Sequence, residues 1–515
     1  MKKLTALLIA ALMPFCLSSC STASTHESVT ASPAETPDGT VDLSLIQKNK
    51  YESTEEYSAQ IVFSDKKAKI SGSGAKADNA DVTINEAGIY RLSGKNSNGC
   101  IVIDCGKKDS VTLVLDGLEL SKKNAPAVSA SCGELVVSLP EGTSSSLSDG
   151  EKRDDKEMSE SAVYCDGAVK LNGSGALRIA GSCGSAIEAK KEITVIDAKL
   201  TVESEKHAFK SKSFIFAERA EINVKCGGTA LSSKDYIYVN SSLSAECDDG
   251  LTSKTYTVIG SDSDIELLCD GRGISGDSGV EINGNVHMKC GGDGIKSSGF
   301  ISVNSGTLTI EESLEGMEAC RVAINGGDVT INASDDGINI AQSKVADGEE
   351  EIDKHDVNDA CLLSVSGGTL KISSVFDGID SNGNVLMTGG TMIILGPEDN
   401  ENGTIDYNGH FDINGGTLIA VGTAGMAMAP DGGTQAVAFA AIHPLTGNDT
   451  ISAKLDGNEL VSVESSKFFE HIVVSSPEIK SGDSVGFYVN NEQLAEAKAD
   501  LGGKIGGMLY EKKGK

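Results

Sequence analysis

The sequence predicts an all-β chain wound as a single-stranded, right-handed parallel β-helix, a solenoid with a period of about 22 residues and β-rich terminal caps. One observation is a returning phrase, DDGL, GRGI, GDGI, LEGM, DDGI and FDGI, between Asp248 and Asp380. Its glycines, Gly250, Gly273, Gly294, Gly316, Gly337 and Gly378, stand 23, 21, 22, 21 and 41 residues apart, and the last step is one period plus an insertion. A second is two-residue alternation in short segments such as Ile101-Val102-Ile103, Leu177-Arg178-Ile179 and Ile222-Asn223-Val224, with helical periodicity nearly absent. The third is the turn chemistry between segments. Asn283-Gly284, Gly326-Gly327, Gly367-Gly368, Gly389-Gly390 and Gly415-Gly416 supply the positive φ that tight corners need.

The same slot of a small residue followed by an apolar one extends upstream to Ala127-Val128, Ala162-Val163, Ala186-Ile187, Ala208-Phe209 and Ala230-Leu231. Downstream it falls at Thr404-Ile405-Asp406 and at Gly425-Met426. These positions define one inward column from Val128 to Ile405, stacked at the ~4.8 Å spacing of neighbouring strands. Residues 141–160 and 341–360 are charged and break the beat, so they read as surface loops inserted between coils. After about residue 430 the beat fades into short strands with turns at Asp456-Gly457 and Lys480-Ser481-Gly482, a cap for the open end of the stack.

At the other end, Lys2 and Lys3 precede an apolar run from Leu4 to Leu17 and then Ser18-Ser19-Cys20. Residues 1–19 read as a secretory leader, and Leu17-Ser18-Ser19-Cys20 resembles a bacterial lipobox, which implies lipid attachment at Cys20. Residues 20–42, rich in Ser, Thr, Ala and Pro, read as a flexible tether, residues 43–430 as the solenoid and 431–515 as the C-terminal cap. The expectation is an extracellular monomer anchored to the membrane by lipid. A formal net charge of −31 disfavours nucleic-acid partners and favours bound cations. Eleven cysteines remain beyond Cys16 and Cys20, without a CxxC pair, and several recur three or four residues before the slot, which points to small buried residues stacked coil on coil.

Two columns flank the slot. The position before the glycine holds Asp249, Arg272, Asp293, Glu315, Asp336 and Asp377, and the position two after it holds Thr252, Ser275, Lys296, Glu318, Asn339, Asp380 and Asp406. Carboxylates stacked about 5 Å apart repel by ~3–4 kcal/mol at an effective dielectric near 20. A calcium ion with oxygen ligands at about 2.4 Å reverses the sign of that interaction, so the ladder reads as built around Ca²⁺.

At LEGMEACRVAINGGDVTINASDDGINIAQ (314–341), FDGIDSNGNVLMTGGTMIILG (376–396) and GTIDYNG (403–409) the chain resembles the bacterial carbohydrate-binding β-helix family of secreted, often lipid-anchored proteins with a pectate-lyase-like fold. The resemblance is most specific over residues 290–430. It implies several calcium ions along the solenoid and affinity for acidic polysaccharides such as polygalacturonate. It carries ligand roles onto Glu315, Glu318, Asp335, Asp336, Asn339, Asp377, Asp380, Asn382 and Asp406. Departures are the acidic insertion at 341–360 and Met317 in place of a β-branched residue.

The function so implied is calcium-dependent binding of a pectin-like acidic polysaccharide without catalysis, with Lys296 and Arg321 as sugar contacts. One alternative is a lyase that neutralises the uronate with calcium and removes a proton with Arg272, Lys296, Arg321 or Lys344. Dense carboxylates hold Lys296 protonated and argue against it as a base. The other alternative is an adhesive solenoid that uses calcium only for rigidity. His207, His287 and His355 lack metal spacing.

Overall fold

Alternating burial decides the architecture, because each strand of a coil turns one face inward and the coil closes only by stacking that face on its neighbours. The computed structural model describes residues 56–150, 153, 158–342, 356–445, 448–501 and 507–508. The expected leader, Cys20 and the tether lie outside these residues, as do Lys344, His355 and positions 343–355 of the second insertion. The described residues contain strands and turns and no helix.

One sheet of 15 strands runs from Ala75–Asp78 to Ile405–Tyr407 and carries the slot. Its first pair is antiparallel and all later pairs are parallel. The slot column is continuous in register: Val128 pairs with Val163, then Ile187, Phe209, Leu231, Leu251, Ile274, Ile295, Met317, Ile338, Ile379 and Ile405 follow, all buried. It starts earlier than the small-residue pattern shows, at Val82 and Ile101. The other two sides of each coil run on as one 28-stranded sheet, because strands such as Ile215–Cys226 and Asn384–Leu395 continue around a corner. A representative coil passes from Ile295–Lys296 to Phe300–Val303 to Thr307–Ser313.

Corner chemistry divides in two. Gly327, Gly368, Gly390 and Gly416 have the left-handed backbone expected, with φ of 79° at Gly327 and 70° at Gly368. Gly284 and the slot glycines do not, and what they need is room. A Cβ on Gly337 would lie 2.6 Å from the carbonyl oxygen of Gly378 and 2.3 Å from the Ile372 side chain.

Two expectations are corrected. Residues 141–160 are not simply a surface loop, since Ser144–Asp149 is a strand paired in parallel with Ser110–Lys122 and Ala176–Gly181. Its inward residues are Ser145, Leu147 and Asp149, so serine hides the alternation, and Arg153 pairs with the buried Asp149 carboxylate. The slot also stops at Ile405 rather than recurring at Gly425-Met426. Among the described residues the slot sheet gains no strand after Ile405–Tyr407: onward parallel pairing of Phe411–Gly422 is confined to Asp412 and Ile413 with Gly432 and Gly433, its second half takes an antiparallel partner, Phe469–Ser475, and Met428–Ala429 pairs antiparallel with Gly507–Met508.

Beyond this point a second core gathers Phe469, Phe487, Ile451 and Val485 around a four-stranded antiparallel sheet built from Asp449–Leu455, Asn458–Ser465, Ser484–Val489 and Glu492–Lys498. Lys467 ties this module to the solenoid, its Nζ donating to the backbone carbonyls of Ser374, Leu395 and Gly396. The eleven cysteines that are described are free thiols, and Cys247, Cys269 and Cys290 stack in register, with 3.6 Å between the sulfurs of Cys247 and Cys269.

Gly337→Ala is expected to destabilise the fold by about 1–3 kcal/mol through overpacking alone, read as a lower midpoint in thermal or denaturant unfolding. An unchanged midpoint would show that the coil can open locally.

Candidate functional site

Slot strands alternate inward and outward, so Ile338 and Ile340 enter the core while Asn339 between them faces out. In-register stacking then places Lys296 beside Glu318, Glu318 beside Asn339, Asn339 beside Asp380 and Asp380 beside Asp406. The column before the glycine stacks through its backbone, since the amides of Gly294, Gly316 and Gly337 donate to the carbonyls of Glu315, Asp336 and Asp377 on the following coils. The structure thereby brings the carboxylates into two clusters.

The first joins Asp336, Asp377 and Asp380, each offering an oxygen within 4.8 Å of the others. One oxygen of Asp336 accepts from the amide of Asp377 at 2.9 Å, and one oxygen of Asp377 accepts from the amide of Gly403, so each carboxylate is aimed by the next coil. Burial, followed by the charges of Asp380, Asp335 and Asp406, pushes the Asp336 carboxyl up to about 7. Asp377 is pushed up to about 8 by burial, with Asp336, Asp406 and Asp380 adding to the rise against the hydrogen bond from Gly403. Burial also raises Asp406.

The second cluster joins Asp293, Glu315 and Glu318, again with oxygens within 4.8 Å. Here the chain supplies its own cation. The Lys296 ammonium pairs with Glu318 and lies 3.2 Å from Asp293. Burial works to lower its pKa, but the hydrogen bond it donates to Glu318 and the charges of Asp293 and Glu318 outweigh it and hold the ammonium above its ordinary value. Glu315 is pushed up to about 8 by burial and by its contact with Glu318. Asn339 stands between the clusters. Its Nδ2 donates to Glu315 Oε1 at 3.0 Å, while its own Oδ1 and Glu315 Oε2 are buried without a hydrogen-bond partner among the described residues.

Of the residues singled out in the sequence, Glu315, Glu318, Asp336, Asn339, Asp377, Asp380 and Asp406 share this edge of the slot sheet. Asp335 stands one residue before Asp336, half-buried, its carboxyl raised by burial and by Asp293. Asn382 Oδ1 accepts from Asn408 Nδ2 at 3.4 Å. Lys296 is engaged inside the second cluster, and Arg321 starts the strand Arg321–Ile324, half-buried on the adjoining side of the coil. Asp293 was missed as a cluster member although it occupies the column before the glycine. The signal was present, but the phrase GGDGIK reads as turn chemistry until Lys296 is seen to bridge it to Glu318. Arg272 Nε lies 3.6 Å from Asp293, so this candidate base also faces a carboxylate.

These donors suit a hard divalent cation. Oxygens held at about 2.4 Å on opposite sides of one ion stand about 4.8 Å apart, and the oxygens of each cluster lie within that distance of one another. The orphaned oxygens of Glu315 and Asn339 are further acceptors with no donor among the described residues.

The sequence pattern of the carbohydrate-binding domain-containing protein family matches residues 78–241 and 240–400, together more than half of the chain. A carbohydrate-binding domain-containing protein from Acetivibrio thermocellus is 25% identical over 158 residues, 30% of this chain and 55% of the relative. The chain thus matches about half the length of that curated relative. The solved structure of the polysaccharide lyase-like protein from C. thermocellum, a gadolinium derivative, is similar over 69% of this chain and 96% of that one, at 18% identity and a TM-score of 0.27.

In metal-free protein, Asp336 and Asp377 retain protons in the folded chain at a pH where the unfolded chain has lost them. Folding therefore binds protons, and stability present below about pH 4 is lost as the pH rises toward about 8. Chelator-treated protein is expected to unfold at lower denaturant at pH 8 than at pH 5, with Asp377→Asn flattening the difference. A wild-type profile that rises across this range would contradict the burial of these carboxyls.

Proposed function

The chain belongs to the carbohydrate-binding domain-containing protein family, and on that footing we propose that it holds acidic polysaccharide through calcium seated at the Asp336, Asp377 and Asp380 corner, without altering the glycan. The observation that carries the reading is the contrast between the two clusters. Lys296 neutralises Asp293 and Glu318, whereas the neighbours that raise Asp336 and Asp377 are themselves acidic. A carboxylate cluster of that kind is stable in ionised form only with an added cation.

Asp336, Asp377 and Asp380 would hold the ion, with Asp406 on the following coil lending charge. Bound there, calcium supplies positive charge and open coordination positions that a uronate carboxylate can fill. The residues aim and bury the carboxylates, through the amides of Asp377 and Gly403, and the row of coils offers an extended glycan a surface with a matching linear repeat. A polygalacturonate-like chain, acidic at every sugar, is the substrate class this charge pattern favours. Attachment to the membrane through Cys20 would present the solenoid outside the cell.

Chemical conversion is disfavoured by the state of the basic groups. A lyase base must be unprotonated at working pH, and Lys296 is held as an ammonium by Glu318 and Asp293.

Calcium at about a hundred times its dissociation constant is expected to stabilise the protein by ~2.7 kcal/mol, seen as a raised melting temperature reversed by chelator. Asp377→Asn combined with Asp380→Asn should abolish that response. Titration calorimetry with oligogalacturonate should show binding in calcium and none in chelator. Binding insensitive to chelator would remove the metal from the reading, and release of unsaturated uronide would replace binding with lysis. A calcium response with no glycan binding would leave a purely architectural solenoid.

Lys296→Met leaves the buried Asp293 and Glu318 carboxylates without their ion-pair partner and is expected to cost about 1–3 kcal/mol in metal-free protein. The same variant should respond more strongly to calcium than wild type in thermal unfolding, because the second cluster then lacks its internal cation. An equal response would show that Lys296 does not occupy a cation's place.

A further inference from the structure

Exposed large apolar side chains cluster at the corner that leads into the acidic coils. Leu314 is 45% exposed, Val375 54% and Phe376 43%, and Val375 and Phe376 immediately precede Asp377. Backbone hydrogen bonds place Leu314 and Phe376 in one column, with Val375 beside it. The amide of Leu314 donates to the carbonyl of Gly292 at 2.9 Å, that of Asp335 to Leu314 at 3.0 Å and that of Phe376 to Asp335 at 3.2 Å. Leu314 and Phe376 therefore stand two coils apart, with the half-buried Asp335 between them, beside the carboxylates of both clusters.

The column has an open end and a closed one. Toward the N-terminal coils it continues through Gly292 and Gly271, which have no side chains to obstruct it, to Asp248, where a groove of about 650 Å³ is lined by Asp248, Asp270 and Leu268. Past Phe376 the next coil carries a longer corner, residues 397–402, which stands exposed at 398–401 and is tied to the C-terminal module. The amide of Phe468 donates to Glu398 Oε1 at 2.8 Å, and Lys467 Nζ holds the carbonyls of Ser374, Leu395 and Gly396. The result is a track along the solenoid edge, floored by glycine, walled at one end, and apolar where it meets the carboxylates.

We propose that Leu314, Val375 and Phe376 form an apolar platform that stacks a pyranose ring of the glycan at the closed end of this track. A pyranose presents C–H faces to apolar surface and keeps its hydroxyl and carboxylate groups at the rim. Phe376 packs such a face while the rim points toward Asp336, Asp377 and Asp380. The wall built by Lys467 and Glu398 stops the glycan beyond Phe376 and sends its other end toward Gly292 and Gly271. Since coils repeat at ~4.8 Å, close to the rise of one sugar in an extended chain, successive sugars meet successive coils. The platform rests on the glycan-binding reading above and adds the residues that select a ring over a bare anion.

The test compares wild type, Phe376→Ser, Leu314→Ser with Phe376→Ser, and Phe376→Trp, each in calcium. Oligogalacturonate affinity is measured by calorimetry, the calcium-induced rise in melting temperature by thermal unfolding, and mass by light scattering. The serine variants are expected to lose roughly tenfold or more in glycan affinity with the calcium response unchanged, and Phe376→Trp to retain affinity. Serine variants that bind as wild type overturn the platform and leave the glycan reading standing. A wild type that binds no oligogalacturonate sinks that reading and the platform with it. Should wild type self-associate and the serine variants become monomeric with equal glycan affinity, the apolar column is a contact between copies of this chain, and the platform is again overturned.

Discussion

Parallel register is the constraint from which the rest follows. Each coil hydrogen-bonds to the next with no offset at the slot, so whatever one coil carries at a given position stands about 5 Å from the same position on its neighbours. For apolar residues this repetition is favourable at every step, and the column from Val82 to Ile405 is its product. For carboxylates it is unfavourable at every step. A solenoid that repeats an acidic outward position must neutralise it, and the means it uses at each level defines the function of that level.

Both means occur within a few coils. At Asp293 and Glu318 the counter-charge is Lys296, delivered by the same column that elsewhere carries Asn339, Asp380 and Asp406. At Asp336 and Asp377 burial and neighbouring acids raise the carboxyls toward neutrality. A protonated pair relieves repulsion only at acid or near-neutral pH, whereas a divalent ion relieves it at any pH at which it stays bound. The slot glycines make this density possible, because a side chain at Gly337 would meet Gly378 and Ile372 and push apart the coils that hold the carboxylates.

The solenoid was legible because its period is written in residue types that sterics restrict. Glycine at the slot and β-branched or long apolar residues after it survive as a visible beat. Where another residue satisfies the same physics, the beat disappears. Val82 and Ile101 follow Asp81 and Cys100, and Ser145 and Asp149 face inward with backbone or ion-pair partners, so strands there escape a pattern that scores only apolar alternation. The acidic columns were legible for the same reason as the apolar one. Their division into clusters was not, because it depends on how far side chains reach across coils: Lys296 spans from its own turn to Glu318, whereas Asn382, just past the end of the strand that carries Asp380, pairs with Asn408. The apolar column of Leu314 and Phe376 was hidden by spacing, since an insertion places them 62 residues apart while the fold sets them two coils apart.

Apolar and acidic features on one edge reinforce each other. A carboxylate beside exposed leucine and phenylalanine is partly desolvated, and a sugar ring covering those side chains would exclude more water from the same corner. Attraction between a cation and its ligands strengthens as the local dielectric falls, so ring stacking and cation binding become energetically coupled without any movement of the backbone. Coupling of that kind is reciprocal: under the proposed reading, an ion that drew the glycan's acid group to Asp336 and Asp377 would also position the ring over Phe376, and a ring seated there would tighten the ion. Stiffness is what makes this possible, because a stack locked by slot glycines and tied by Lys467 at its end spends little ordering entropy when the ligand arrives.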